Sequence, residues 1–175
     1  MSGIGISIDN IDTMLSRALA QCVETIKTNS RNAGQVATGK TLRSLEYTLH
    51  REGKAYIARI LGRPYFGTLE TGRGPYAGGK GDPAGFNQRL IEWMKARNFQ
   101  CKDEAEYLRM ANYLRWKINK FGTALYRKGG RKDVFTPAVN DLADFVEKEL
   151  IVFFESQMEN MFTRGFQGFG NSPMQ

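Results

Sequence analysis

The sequence predicts an α+β fold: a long N-terminal helix packed on a small antiparallel β-sheet, with three further helices including a long C-terminal one. Three observations carry this. A single apolar stripe at three-four spacing runs from Ile8 to Ile26. Two period-2 runs flank a glycine turn at Gly53. Three later apolar stripes each follow a helix-start signal, at Asp82-Pro83, Asp103 and Thr136-Pro137.

In the first element, Ile8, Ile11, Leu15, Ala18, Leu19, Cys22 and Ile26 form the stripe, and Asp12, Ser16, Arg17, Glu24 and Lys27 mostly fall opposite. That pattern is an amphipathic helix. It is expected to end near Asn32-Ala33-Gly34, where glycine provides a C-terminal cap. Next, Leu45, Tyr47 and Leu49 alternate with Glu46, Thr48 and His50. After a turn at Arg51-Glu52-Gly53-Lys54, Tyr56, Ala58 and Ile60 alternate with Ile57, Arg59 and Leu61. Such runs across a short glycine turn predict an antiparallel hairpin. Pro64 ends the ladder, because proline has no N–H to donate.

Residues 72–81 hold five glycines and read as a loop. Phe86, Leu90, Trp93 and Met94 then give a short helix stripe. Asp103 and Glu106 resemble a capping box for the next helix, with its stripe at Tyr107, Ala111, Leu114, Ile118 and Phe121. The final stripe is Val139, Leu142, Val146, Leu150 and Phe153. The turn Leu150 to Phe154 is apolar all round, so it is expected to be buried or to meet another subunit. The stretch TRGFQGFGNSPMQ is too rich in glycine for a regular element, and its Phe166 and Phe169 need a partner to cover them.

A chain of 175 residues suits one domain with a real core. We divide it as a single domain over 1–162, with a helical insertion at 82–122, and a flexible Gly/Phe tail over 163–175. No run is apolar enough to span a membrane, and the first residues lack a signal peptide's basic flank and apolar core; cytoplasmic synthesis is the expectation. The net charge of +7 favours nucleic acid or an acidic protein surface as a neighbour. Cys22 and Cys101 lie far apart without a C-x-x-C, so no disulfide framework is expected.

Chemistry-bearing signals are few. Gly34 to Thr41, GQVATGKT, matches the phosphate-loop pattern, in which glycine N–H groups wrap a phosphate and the lysine reaches the outer phosphates. That geometry needs a strand before it and a helix after it. Here a helix comes before, and an alternating run follows. Glu155, after LIVFF, is the only imitation of a magnesium-binding acid, and it lies in a helical pattern. The bland reading is that Thr38-Gly39-Lys40 joins helix to strand. The single histidine, His50, sits on the polar face of a strand, away from any cysteine or carboxylate at ligand spacing. Glu70 abuts the glycine-rich loop, a setting that suits a general base, and reads as an interface or turn residue. No catalytic, cofactor or metal residue is assigned. Arg127, Lys128, Arg131 and Lys132 surround two glycines and, with Lys80, are the candidate contacts to a DNA backbone or an acidic partner. Glu70, Phe153, Phe154, Phe166 and Phe169 are the candidate subunit-interface residues.

Five pieces in order resemble the tail-component family of tailed bacteriophages, the neck or tail-completion proteins. These are a long first helix; Thr38, Gly39, Leu42 and Ser44 opening a strand; a second strand running into Tyr65, Glu70, Gly72 and Gly74; intervening helices with LIEWMKARNF and YLRWKINKFGT; and Phe135-Thr136-Pro137-Ala138, one residue shorter than the family's F-x-x-P-A. The resemblance covers roughly residues 37–139. It implies a non-enzymatic subunit of a ring, of six or twelve copies, at the head–tail junction of the virion, around the channel through which double-stranded DNA passes. Its partners would be copies of itself, portal or adaptor proteins, other neck proteins and tail proteins, with no membrane. Lys40 and the Gly-Phe tail depart from the family pattern. The competing readings are a nucleotide-binding enzyme using Lys40 and Thr41, and a basic DNA-binding protein.

Overall fold

The computed structural model describes residues 8–53, 55–76 and 85–169. The fold is α+β. Its order is α1 (Ile8–Asn32), α2 (Lys40–Arg43), β1 (Glu46–Glu52), β2 (Ala55–Leu61), α3 (Thr68–Thr71), α4 (Phe86–Ala96), α5 (Glu104–Phe121), α6 (Ala124–Arg127) and α7 (Thr136–Phe169). The long helices and the hairpin stand where the sequence puts them. The one-turn helices α2, α3 and α6 do not register as periodicity, because four residues are too few to repeat a stripe.

α1 ends as its glycine predicts. Gly34 takes φ 64. Its N–H donates to Arg31 O and the Gln35 N–H to Ser30 O, closing the helix with a Schellman cap. The chain then makes one helical turn at α2 before entering β1, so the expected direct loop to a strand is corrected here. Leu42 and Leu45 are 7% and 4% exposed. They are three apart, and the turn sends both into the core; the strand starts one residue after Leu45.

β1 and β2 pair antiparallel with Tyr47 opposite Ile60 and Glu52 opposite Ala55. The turn between them begins at Gly53, at φ 62. Two strands cannot stand alone in water. The face with Ile60 packs on a core of Cys22, Val23, Ile26, Leu42, Leu45 and Ala138. α7 runs antiparallel to α1 and completes this layer: the Cys22 thiol donates to Ala138 O at 3.2 Å, and Asn29 Nδ2 to Val134 O at 3.0 Å. Burial, first, and nearby Asp141 push the Cys22 thiol's pKa up, so it behaves as a small hydrophobe.

α4 and α5 form a helical hairpin around a second core of Leu90, Ile91, Met94 and Ala111. This pair is the material expected as an insertion. Asp103 caps α5 by accepting from the Glu106 N–H at 2.7 Å. Several details differ from expectation; Trp93, on the α4 stripe, is 37% exposed, while Ile91 is buried. α4 starts after Gly85, at φ 80, and the Asp82-Pro83 signal lies outside the described residues. Phe121, placed on the buried stripe, is 42% exposed, because the stripe drifts around the helix before its end.

The C-terminal stretch is also corrected. The α7 backbone stays helical to Phe169, through Gly165 and Gly168. A glycine inside a helix costs about 1 kcal/mol against alanine, which weakens a helix without forbidding it. The side chains of Phe166 and Phe169 lie outside the described residues.

Candidate functional site

Glu70 organises the centre of the molecule. It sits on the one-turn helix α3 and is 4% exposed. Its Oε1 accepts from the backbone N–H groups of Val134 at 2.8 Å, Phe135 at 2.7 Å and Thr136 at 2.9 Å. Its Oε2 accepts from the Thr136 hydroxyl. Those donors are the open N-terminus of α7, so the carboxylate caps a helix that begins 66 residues later in the chain. Thr136 was expected to cap α7 itself. Its hydroxyl instead donates to Glu70, and Pro137, having no N–H, leaves one orphan fewer. Burial alone pushes the Glu70 carboxyl up; the Thr136 hydroxyl and the three N–H groups outweigh it and hold it below the usual carboxylate range.

Glu70 is therefore removed from the subunit-interface candidates. A buried carboxylate spent on four internal donors has nothing to offer a neighbour.

Arg131 does the complementary job. Its N–H donates to Glu70 O at 2.8 Å. Its guanidinium grips Asp133 with two bonds of 2.5 and 2.6 Å and reaches Ala33 O at 3.2 Å, at the carbonyl end of α1. A cation at a helix C-terminus and an anion at a helix N-terminus each sit at the favourable pole. Gly130, at φ 80, lets this segment pass close, since a Cβ there would lie 2.8 Å from Glu70 O. Arg131 thus leaves the list of free cations in the basic loop. Arg127, Lys128 and Lys132 remain exposed, and Lys80 lies outside the described residues.

The exit TLETGRGP is pinned on its other side. Arg73 N–H donates to Thr123 Oγ1 at 3.0 Å, and Thr123 N–H returns to Arg73 O at 2.8 Å. Gly72, at φ 68, passes so close to α6 that a Cβ would lie 2.4 Å from Tyr126 N. Gly74 lies under the Tyr126 ring. Ser44 ties the start of the hairpin to its end: its hydroxyl donates to Thr41 O at 2.8 Å and accepts from Arg63 N–H at 3.2 Å. Ser44, Glu70, Gly72 and Gly74, which carry part of the resemblance, are thus committed to internal geometry.

GQVATGKT begins at the glycine that caps α1 and ends with the first two residues of α2. α1 stands where a phosphate loop needs a strand, and α2 is a single turn. Lys40 Nζ bonds Glu92 Oε2 at 2.6 Å. That bond, with Arg63 and Arg89 nearby, holds the Glu92 carboxyl below its usual range. A cavity of about 320 Å³ lies here, between Thr38, Lys40, Arg63 and Trp93. Among the described residues no group of His, Cys, Asp and Glu is placed to hold a metal ion.

Two exposed surfaces stand out, the first extending the Leu150–Phe154 turn that the sequence already marks, the second not singled out there. The first is on α7. Ile151, Phe154, Met158, Met161 and Phe162 are 52–73% exposed and share one face at three-four spacing. Phe153 is half-buried instead and shares the face of Leu142, which packs on the α1 core. So Leu150 to Phe154 is neither fully buried nor fully open: Leu150 and Phe153 are half-buried, and Ile151, Val152 and Phe154 are exposed. The second is the outer face of α5. Tyr113, Trp116 and Phe121 are exposed there, with Lys117 over the Tyr113 ring and Lys120 over Trp116 and Phe121. The spacing 113, 116, 120 was available as a signal, but the buried stripe on the same helix drew the reading.

Below that face lies a cleft of about 530 Å³ between α4, α5 and α6. Phe86, Leu114 and Ile118 wall it, and Arg73, Lys117 and Arg127 bring positive charge to it. Comparison with protein-family models, curated proteins and solved structures finds no match.

Proposed function

We propose that this chain is a non-enzymatic structural subunit that assembles into a ring of six or twelve copies at the head–tail junction of a tailed bacteriophage, surrounding the DNA channel. The observation that carries assembly is the α7 stripe: five large apolar side chains, contiguous and exposed along one face of the helix. Contiguous apolar surface of this kind marks an interaction site. Rings need head-to-tail interfaces that close, and such an interface joins two different surfaces of one chain.

The placement in a phage neck rests on the order of the five sequence pieces. It is supported by the direct bond between two of them, Glu70 on the Tyr65–Gly74 piece and Thr136 on the Phe135–Ala138 piece. Exposed Arg127, Lys128 and Lys132 suit contact with a passing phosphate backbone of any sequence. Electron microscopy of virions tests the proposal: density for this chain in a ring beneath the portal is expected, and its absence from particles rejects the placement.

The α5 face favours a second reading, a basic nucleic-acid-binding protein, because exposed rings beside lysines suit base stacking and backbone contact. Strong, salt-sensitive DNA binding by the isolated monomer would select it.

A further inference from the structure

We infer that the apolar stripe of α7 is the donor half of a head-to-tail contact, and that its acceptor is the α4–α5–α6 cleft of a second copy of this chain. The inference deepens the ring reading and rests on it for the identity of the occupant.

The donor follows from register. α1 and α7 are antiparallel, with Cys22 against Ala138. At equal rise, the first turn of α1 is level with about Val152 on α7. The remaining roughly 17 residues of α7 run past α1, on the order of 25 Å. On that length Phe154, Met158, Met161 and Phe162 are 57–73% exposed. The two methionines suit a groove whose shape need not be matched in advance, because unbranched thioethers repack easily.

The acceptor follows from chemistry. The cleft is apolar inside, through Phe86, Leu114 and Ile118, and cationic through Arg73, Lys117 and Arg127. The donor is apolar along its stripe and carries Glu155 beside it, one position after Phe154. Apolar matches apolar, and acid meets base. The hairpin fits less well, because it presents mixed charge. Donor and acceptor lie on different elements of one chain, so each copy can offer its α7 while receiving another's, and the contact propagates around a ring.

The test uses the full-length chain in sedimentation velocity over a concentration series, with Phe154→Glu and Leu114→Glu as variants and circular dichroism as the fold check. The wild type is expected to self-associate. Phe154→Glu, at an exposed site, should keep the wild-type spectrum and weaken association at least tenfold, and Leu114→Glu should weaken it similarly. In a Cys101→Ser background, mixing Met158→Cys with Leu114→Cys should give a disulfide-linked heterodimer, which also covers the case in which Leu114→Glu fails to fold.

Association that persists unchanged in Phe154→Glu overturns the inference and leaves the ring reading standing. Loss in Phe154→Glu without the heterodimeric cross-link, and with Leu114→Glu unaffected, overturns the cleft as acceptor and indicates stripe against stripe. A wild type that stays monomeric across the series overturns the ring reading and the inference with it.

Discussion

Replacing Glu70 by alanine removes one side chain and leaves four donors without their acceptor. The Val134 N–H is the costliest of these, because Val134 is fully buried and water cannot reach it. An unsatisfied buried donor costs about 1–3 kcal/mol. The Phe135 and Thr136 donors are half-buried and partly rehydrate, so their loss is closer to that of an ordinary helix cap, about 1 kcal/mol. The expected destabilisation is therefore about 3 kcal/mol, or about 6–12 °C in melting midpoint for a domain this size. Glu70→Gln keeps the volume and an acceptor oxygen but loses the charge at the helix pole, and should cost about 1–2 kcal/mol.

The pH dependence has a definite sign. The folded carboxyl titrates below its unfolded value, near 4.3. Its stabilisation is full above about pH 5 and is lost as pH falls through the folded value. Urea titrations of wild type and Glu70→Gln at several pH values measure this directly. The gap in unfolding free energy should be constant from pH 5 upward and should close on acidification below about pH 4.3. A Glu70→Ala protein as stable as wild type, or a gap that does not narrow in acid, refutes the assignment of Glu70 as the cap of α7.

Gly72→Ala should destabilise by at least about 2 kcal/mol in thermal melts, because φ 68 is strained for alanine and its Cβ would strike Tyr126 N; a neutral effect would mean the exit does not pass α6 this closely. Lys40→Ala removes an exposed ion pair and should leave the melting midpoint within about 2 °C. On the proposed function, calorimetry should find no ATP affinity for that substitution to abolish. Met94→Ala opens a void in the α4–α5 core, where Met94 is fully buried, and should cost about 2–5 kcal/mol by chemical denaturation. Arg127→Glu with Lys128→Glu should preserve the fold and lower the salt slope of any duplex-DNA binding by about 2, read from fluorescence anisotropy at several salt concentrations.

Local patterns made much of the fold legible. Ile11, Leu15, Leu19, Cys22 and Ile26 repeat at helical spacing and are all buried. Tyr56, Ala58 and Ile60 alternate and are one face of β2. Gly34 and Gly53 stop elements where their freedom at positive φ is used. Each of these signals concerns residues within one or two turns of each other. The misread residues are those whose role depends on a distant partner. Glu70 beside a glycine loop looks like a surface residue, and only the approach of Val134 to Thr136 makes it a cap. Arg131 in a run of basic residues looks solvated, until Ala33 and Asp133 claim its guanidinium.

The sequence by itself determined the class of fold, the order of its main elements and many of the core-facing side chains, because periodicity and turn chemistry act over a few residues. It also marked the turn Leu150 to Phe154 as apolar all round, to be buried or to meet another subunit. Tertiary structure alone decided which apolar side chains of α7 stay uncovered: α1 is antiparallel and too short to follow α7 to its end, and Phe154, Met158, Met161 and Phe162 stand exposed beyond it. It decided as well that Glu70 and Thr136, 66 positions apart, are one site. Contacts of that range are fixed by how layers pack, and no local pattern in the chain encodes them.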